Sequence, residues 1–167
     1  MNYYLAFGIP IISEIELPAL MAVERRSDYE NPVYVKLGTV PKELSDAGQY
    51  ADGSAYCNAN EMIYTISEKI KFYINGGNQI VIEPIAPDYK TNLIYFYSNA
   101  LGAMLFQRDL IPFHVSGVFT EPGKVVLFAA PSGTGKSTLA VKLQESGYKP
   151  FTDDTAVLFV KHGRSYG

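Results

Sequence analysis

The chain has 167 residues, 47% of them apolar, which suffices for one ordinary domain or two small ones around a packed core. A formal net charge of -3 and a pI near 5.4 give no basic excess of the kind that neutralises phosphate backbones, which argues against nucleic acid as a main partner. Cys57 is the only cysteine, so neither an intramolecular disulfide, a cysteine-based zinc site nor a redox pair can be built, and a reducing cytoplasm is the expected compartment.

The opening Met1-Asn2-Tyr3-Tyr4 lacks the basic start of a signal peptide, and Glu14 and Glu16 interrupt the apolar run behind it, so secretion is not expected. Strand-like segments rich in Val, Ile, Tyr and Phe follow, at Tyr3 to Phe7, Ile11 to Ile15, Val33 to Leu37, Met62 to Ile66, Ile70 to Ile74 and Gln79 to Ile82. The last two form a hairpin across Asn75-Gly76-Gly77-Asn78, and the polar stretch between Pro41 and Asn60 reads as loop. Tyr3, Tyr4, Tyr64 and Tyr73 alternate with apolar residues and read as sheet packing rather than as a base-stacking platform.

After Pro84 and Pro87 the period changes. Ile94, Tyr97, Leu101, Met104 and Leu105 recur at helical spacing behind Asp88, a candidate N-cap, and predict one buried helix from Tyr89 to Arg108. The uncharged stretch Thr91 to Gln107 falls short of the roughly 20 apolar residues a membrane span requires, so no membrane partner is expected. A strand at Phe113 to Phe119, a turn at Glu121-Pro122-Gly123, a strand at Lys124 to Ala129 and a helix from Lys136 to about Ser146, ended by Gly147, come next. Short strands near Tyr148 to Phe151 and at Ala156 to Val160 flank Asp153-Asp154. The expected organisation is a β-rich domain over residues 1–87 and a second domain over 88–167, of α/β class.

The strongest motif is Ala130-Pro131-Ser132-Gly133-Thr134-Gly135-Lys136-Ser137, a P-loop with alanine where the strictest pattern has its first glycine. An apolar strand runs into it and a helix leaves it, which is the context the motif needs. Gly133 and Gly135 let backbone N–H groups converge, the helix start adds its partial positive charge, and the loop becomes an anion cradle. Pro131, Ser132, Gly133, Thr134, Gly135, Lys136, Ser137 and Thr138 are therefore the expected binding residues for ATP or another nucleoside triphosphate. Lys136 is expected on the β and γ phosphates and Ser137 on Mg²⁺, while Thr138 reads as a helix residue rather than a second metal ligand.

Asp153-Asp154 could emerge at the same sheet edge as the loop, with one carboxylate acting on a hydroxyl and the other on Mg²⁺, or it could be a solvated turn; the residues alone allow both. His114, on the strand before the P-loop strand, reads by itself as a core histidine, and His162 as a solvated one. Two distant histidines without a cysteine partner do not make a zinc site.

The order of Leu110-Ile111-Pro112-Phe113-His114, the P-loop through Ala140, and Gly147-Tyr148-Lys149-Pro150-Phe151-Thr152-Asp153-Asp154 resembles the start of the catalytic domain of HPr kinase/phosphorylase and of the related serine kinases found beside peptide-maturation genes. The segments Phe7 to Ile11 and Ala100 to Arg108 are also similar to the peptide-associated group. The resemblance implies a β-rich amino-terminal domain followed by the first half of a P-loop kinase domain of the HPr kinase/PEP carboxykinase type. It implies phosphoryl transfer from ATP with Mg²⁺ to a serine of a protein or peptide, with His114 near the transferred phosphate, Asp153 and Asp154 supplying the base, and Ser137 with Asp154 serving the metal. The family's further acidic ligand lies downstream of the pair, so the sequence reads as the front of a longer kinase, with self-association into a homo-oligomer among the expected contacts. The rival readings are a nucleotide-binding accessory or remnant protein without turnover and a small-metabolite P-loop kinase.

Overall fold

Ile70, Phe72 and Ile74 alternate with Lys71, Tyr73 and Asn75, and the alternation becomes a strand whose three apolar side chains are fully buried. The computed structural model describes residues 1–50, 53–161 and 164–166, and the chain divides into two compact units, Met1–Asp109 and Leu110–Gly167. The architecture is mixed α/β and strand-rich, with one sheet in each unit.

In the first unit, β1 (Asn2–Ala6), β2 (Ile9–Ser13), β3 (Met21–Ala22), β4 (Val33–Leu37), β5 (Gln49–Tyr50), β6 (Ala55–Cys57), β7 (Glu61–Ile66), β8 (Ile70–Asn75) and β9 (Gln79–Pro84) form a nine-stranded sheet in the order β3-β1-β2-β4-β9-β8-β7-β6-β5. Neighbours are antiparallel except at β4, which lies parallel to both β2 and β9. The hairpin of β8 and β9 closes where the sequence predicts it, with Asn75 opposite Gln79. Two short strands, β5 and β6, lie inside the segment expected to be loop, because the brief run Ala55-Tyr56-Cys57 finds a partner in β7 that its own polarity does not announce. Ile11, Val33, Val35, Ile80 and Ile82 join the β8 side chains in the core. Truncating Phe72 to Ala there should cost about 3–5 kcal/mol.

The single helix expected from Tyr89 to Arg108 is three pieces: a 3-10 helix (Tyr89–Leu93), a π-helical turn (Phe96–Ala100) and an α-helix, α1 (Leu101–Phe106). Asp88 makes no side-chain cap. The Leu101 N–H reaches back to the Phe96 carbonyl, and the Ser98 hydroxyl donates to the Ile94 carbonyl at 3.0 Å, a back-bond that competes with regular helix in a stretch already poor in helix formers. The π turn brings Phe96, Ala100, Leu101, Met104 and Leu105 all to the buried side, where the segment packs on β8. It thus lies within the first unit, whereas the sequence groups it with the second domain. Among the described residues no helix is long and apolar enough to cross a membrane.

The second unit is built on one long strand, β10 (Ile111–Glu121), with β11 (Lys124–Ala129) antiparallel on one side. On its other side lie β12 (Lys149–Thr152), against Gly117 to Phe119, and β13 (Thr155–Lys161), against Ile111 to His114. A final strand, β14 (Arg164–Tyr166), pairs with β13. The helix α2 (Lys136–Glu145) packs on β10 and β12. It ends as expected at Gly147, whose N–H bonds Gln144 while that of Tyr148 bonds Leu143, a Schellman closure. Gly117 is fixed by proximity: a Cβ there would sit 2.8 Å from the Val126 carbonyl oxygen and 2.6 Å from a Leu127 methyl, so only glycine lets β10 and β11 approach this closely.

Candidate functional site

The loop from Ala130 to Gly135 joins β11 to α2, and its shape comes from the residues that the motif prescribes. Gly133 and Gly135 take φ values of +81° and +92°, in the left-handed region that a side chain resists. Thr134 closes the turn by donating its hydroxyl to the Pro131 carbonyl at 2.7 Å. Gly135 is the N-cap of α2 without a side-chain cap, and the first intrahelical bond runs from the Leu139 N–H to the Gly135 carbonyl. The N–H groups of Lys136, Ser137 and Thr138 therefore have no acceptor within the helix and sit at its positive end.

Lys136 lies buried under this loop at 9% exposure and donates its ammonium to the Ala130 carbonyl at 2.9 Å. Carbonyl oxygens satisfy the hydrogen bond but carry no charge, so the cation remains available to an anion in the cradle. Pro131, Ser132, Gly133, Thr134, Ser137 and Thr138 are exposed, which leaves the cradle open to solvent.

The acidic pair is not a free turn. It bridges β12 and β13 in the register that β13 keeps on β10, which sets Asp153 beside Ser116 and Asp154 beside Val115. The Val115 N–H donates to the Asp154 carbonyl at 3.0 Å, and the Ser116 hydroxyl donates to Asp153 Oδ1 at 2.8 Å. The hydrogen bond from Ser116 first and the nearby Ser137 hydroxyl second hold the Asp153 carboxyl below the usual carboxylate range; the charges of His114 and Lys136 add to this against a desolvation that works the other way. Asp153 is thus the carboxylate that stands with the start of α2.

Asp154 turns elsewhere. Its Oδ1 lies 3.2 Å from His114 Nδ1, with side chains 83% and 60% exposed respectively. His114 is not the core histidine that its strand position suggests: it is exposed, and β10 is buried only from Val115 to Val118. With Nδ1 facing a carboxylate, that nitrogen is assigned the donor of the pair. His162 lies outside the described residues.

Every candidate from the P-loop, His114 and the acidic pair thus belongs to one unit, and Ser137, His114 and Lys136 all bear on the Asp153 carboxylate. The residue that sequence reasoning missed is Ser116. The available signal was its spacing of two from His114, which puts both on one face of β10. A cleft of about 610 Å³ in this unit lies away from the loop, between the β10–β11 turn and the carboxy end of α2, lined by Phe119, Glu121, Gly147 and Tyr148 among others. Comparison of the chain with protein-family models, with curated proteins and with solved structures finds no match.

Proposed function

We propose that the chain is an ATP-dependent serine kinase of the HPr kinase type, which binds a nucleoside triphosphate with Mg²⁺ at Ala130 to Thr138 and transfers its γ-phosphoryl group to a serine hydroxyl of a protein or peptide. The observation that carries this reading is convergence: the phosphate-type loop with its buried Lys136, the Asp153 carboxylate, and the Ser116 hydroxyl that bonds it come from three separate stretches of chain. A P-loop kinase domain is the fold-level form of the same proposal.

The donor set suits Mg²⁺. This ion takes hard oxygen ligands, usually one or two carboxylates with the remainder from phosphate and water, and a Ser137 hydroxyl beside an Asp153 carboxylate is such a partial set. Among the described residues no group of three or more His, Cys, Asp or Glu could hold a metal unaided, so the nucleotide would complete the site. When bound, the ion neutralises phosphate charge. Ser137 and Asp153 would hold it, which moves the carboxylate's metal role from Asp154, where the family resemblance puts it, to its neighbour.

Asp154 is then the base. Its carboxylate takes the proton of the acceptor hydroxyl as the serine oxygen bonds the γ-phosphorus and the bond to the bridging oxygen breaks, leaving the diphosphate. His114 Nδ1 orients that carboxylate, and Lys136 with the N–H groups at the start of α2 holds the phosphates. The exposure of Asp154 and His114 favours an acceptor that docks from solvent, as a protein or peptide segment does, over a small metabolite enclosed in a pocket.

The test is incubation of the chain with labelled Mg-ATP and serine-bearing peptides. Transfer to serine supports the reading. Tight ATP binding without transfer reduces the protein to a nucleotide-binding accessory, and absence of binding overturns the proposal at its root.

A further inference from the structure

We infer that Ser116 is a positioning residue for the nucleotide-bound metal: its buried hydroxyl fixes the direction of the Asp153 carboxylate so that it faces Ser137. This rests on the kinase reading above.

The argument starts from burial. Ser116 is fully buried on β10, between Val115 and Val118 at 2% and 1% exposure, in a strand whose outer residues are exposed. A hydroxyl in such a place must find a partner, and the partner is the Oδ1 of Asp153 at 2.8 Å. Asp153 itself is exposed, and an exposed carboxylate on a short side chain ordinarily samples several rotamers. The bond to a strand-fixed hydroxyl removes that freedom before any ligand arrives.

The same hydroxyl is well placed to set distance as well as direction. Ser116 pairs with Phe128 of β11, one residue before Ala129, where the strand gives way to the phosphate loop. The ladder that places Ser116 therefore also places the loop, and close approach of the two strands depends on Gly117 next door. Being fully buried, Ser116 cannot touch nucleotide or acceptor and acts only through Asp153.

The measurement is ATP affinity of the full chain by calorimetry, with Mg²⁺ and with a chelator, in wild type, Ser116→Ala, Asp153→Ala and the double variant. Ser116→Ala should cut the Mg²⁺-dependent gain in affinity by about tenfold, the scale of a hydrogen bond to a charged group, and should have no further effect on that gain once Asp153 is alanine. Ser116→Cys, which fills the same space with a weak donor, should lose the gain as well and stands in if the alanine variant does not fold. A Ser116 variant that lowers binding equally with and without Mg²⁺ has a merely structural role and overturns the inference. A wild-type gain that survives in Ser116→Ala overturns the inference alone, whereas a wild-type chain without any Mg²⁺-dependent gain overturns the kinase reading with it.

Discussion

The Val115 N–H donates to the Asp154 carbonyl at 3.0 Å, which ties the bend between β12 and β13 to β10 while its two carboxylates take different partners. Asp153 goes to Ser116 and Asp154 to His114. Two adjacent, chemically identical residues are thereby held by different side chains of β10.

Asp154→Asn should lower phosphoryl transfer by about 10² to 10⁴ with little change in ATP affinity, because a base contributes mainly in the transition state. Asp153→Asn should instead raise the Mg²⁺ concentration needed, with activity partly restored by excess metal. Single-turnover transfer to a serine-bearing peptide across a Mg²⁺ series separates the two. Equal behaviour of the variants would remove the division.

Lys136→Ala should weaken nucleotide binding by about ten- to hundred-fold, the loss of one charge-assisted contact to phosphate. Calorimetry decides this, with circular dichroism to show that the variant is folded. Unchanged affinity would mean that the loop does not cradle phosphate.

Gly135→Ala tests the shape of the loop rather than its charge. At φ +92° a Cβ meets no neighbour within 4 Å, so any cost is backbone strain, about 1–2 kcal/mol for a residue forced into left-handed geometry. The melting temperature should fall and ATP affinity with it, while Lys136 is still present. A variant as stable and as tight as wild type would show that the loop does not need this conformation.

In the first unit, Glu61 is a buried carboxylate bonded by the Ser45 backbone and hydroxyl, by Asn58 at 3.3 Å and by Tyr73. The Ser45 hydroxyl first, then the Tyr73 hydroxyl, pull its pKa from 4.5 down to about 2. Because the folded value lies below the unfolded one, its stabilisation is complete above about pH 4.5 and drains away as pH falls toward 2. Denaturant melts from pH 7 to pH 2 should show this loss, and Glu61→Gln should be less stable at neutral pH by about 1.5–3 kcal/mol and flatter below pH 4.5. Identical pH profiles for the two proteins would exclude Glu61 as a source of acid sensitivity.

Local signals carried what the sequence made legible. The Asn75 to Gln79 hairpin, the strand, loop and helix of the phosphate motif, and the Gly147 stop each depend on residues a few positions apart. The break-up of the helix after Asp88 is not legible because apolar spacing alone does not distinguish a π turn from a regular one, and Ser98 gives its effect only through a bond to Ile94. Which carboxylate meets Ser137 was not legible either. It depends on how β12 and β13 register on β10, where a slip of one residue would exchange Asp153 and Asp154, and no nearby residue encodes that register.

Strand β4 has a consequence in time. Its parallel pairing to β2 and β9 cannot come from a hairpin, so each ladder must wait for a long loop to close, whereas β5 through β9 assemble by successive local turns. Local meanders tend to form early and non-local closures to set the rate, so joining the β1–β2 hairpin to the meander through β4 should be the slow event in this unit, on a scale of roughly milliseconds to seconds. In pulsed hydrogen exchange the amides of Phe72 and Ile74 should gain protection first. Those of Tyr34, bonded to the Asn78 carbonyl, and Gly38, bonded to that of Ile82, should follow only when the two parts of the sheet become one.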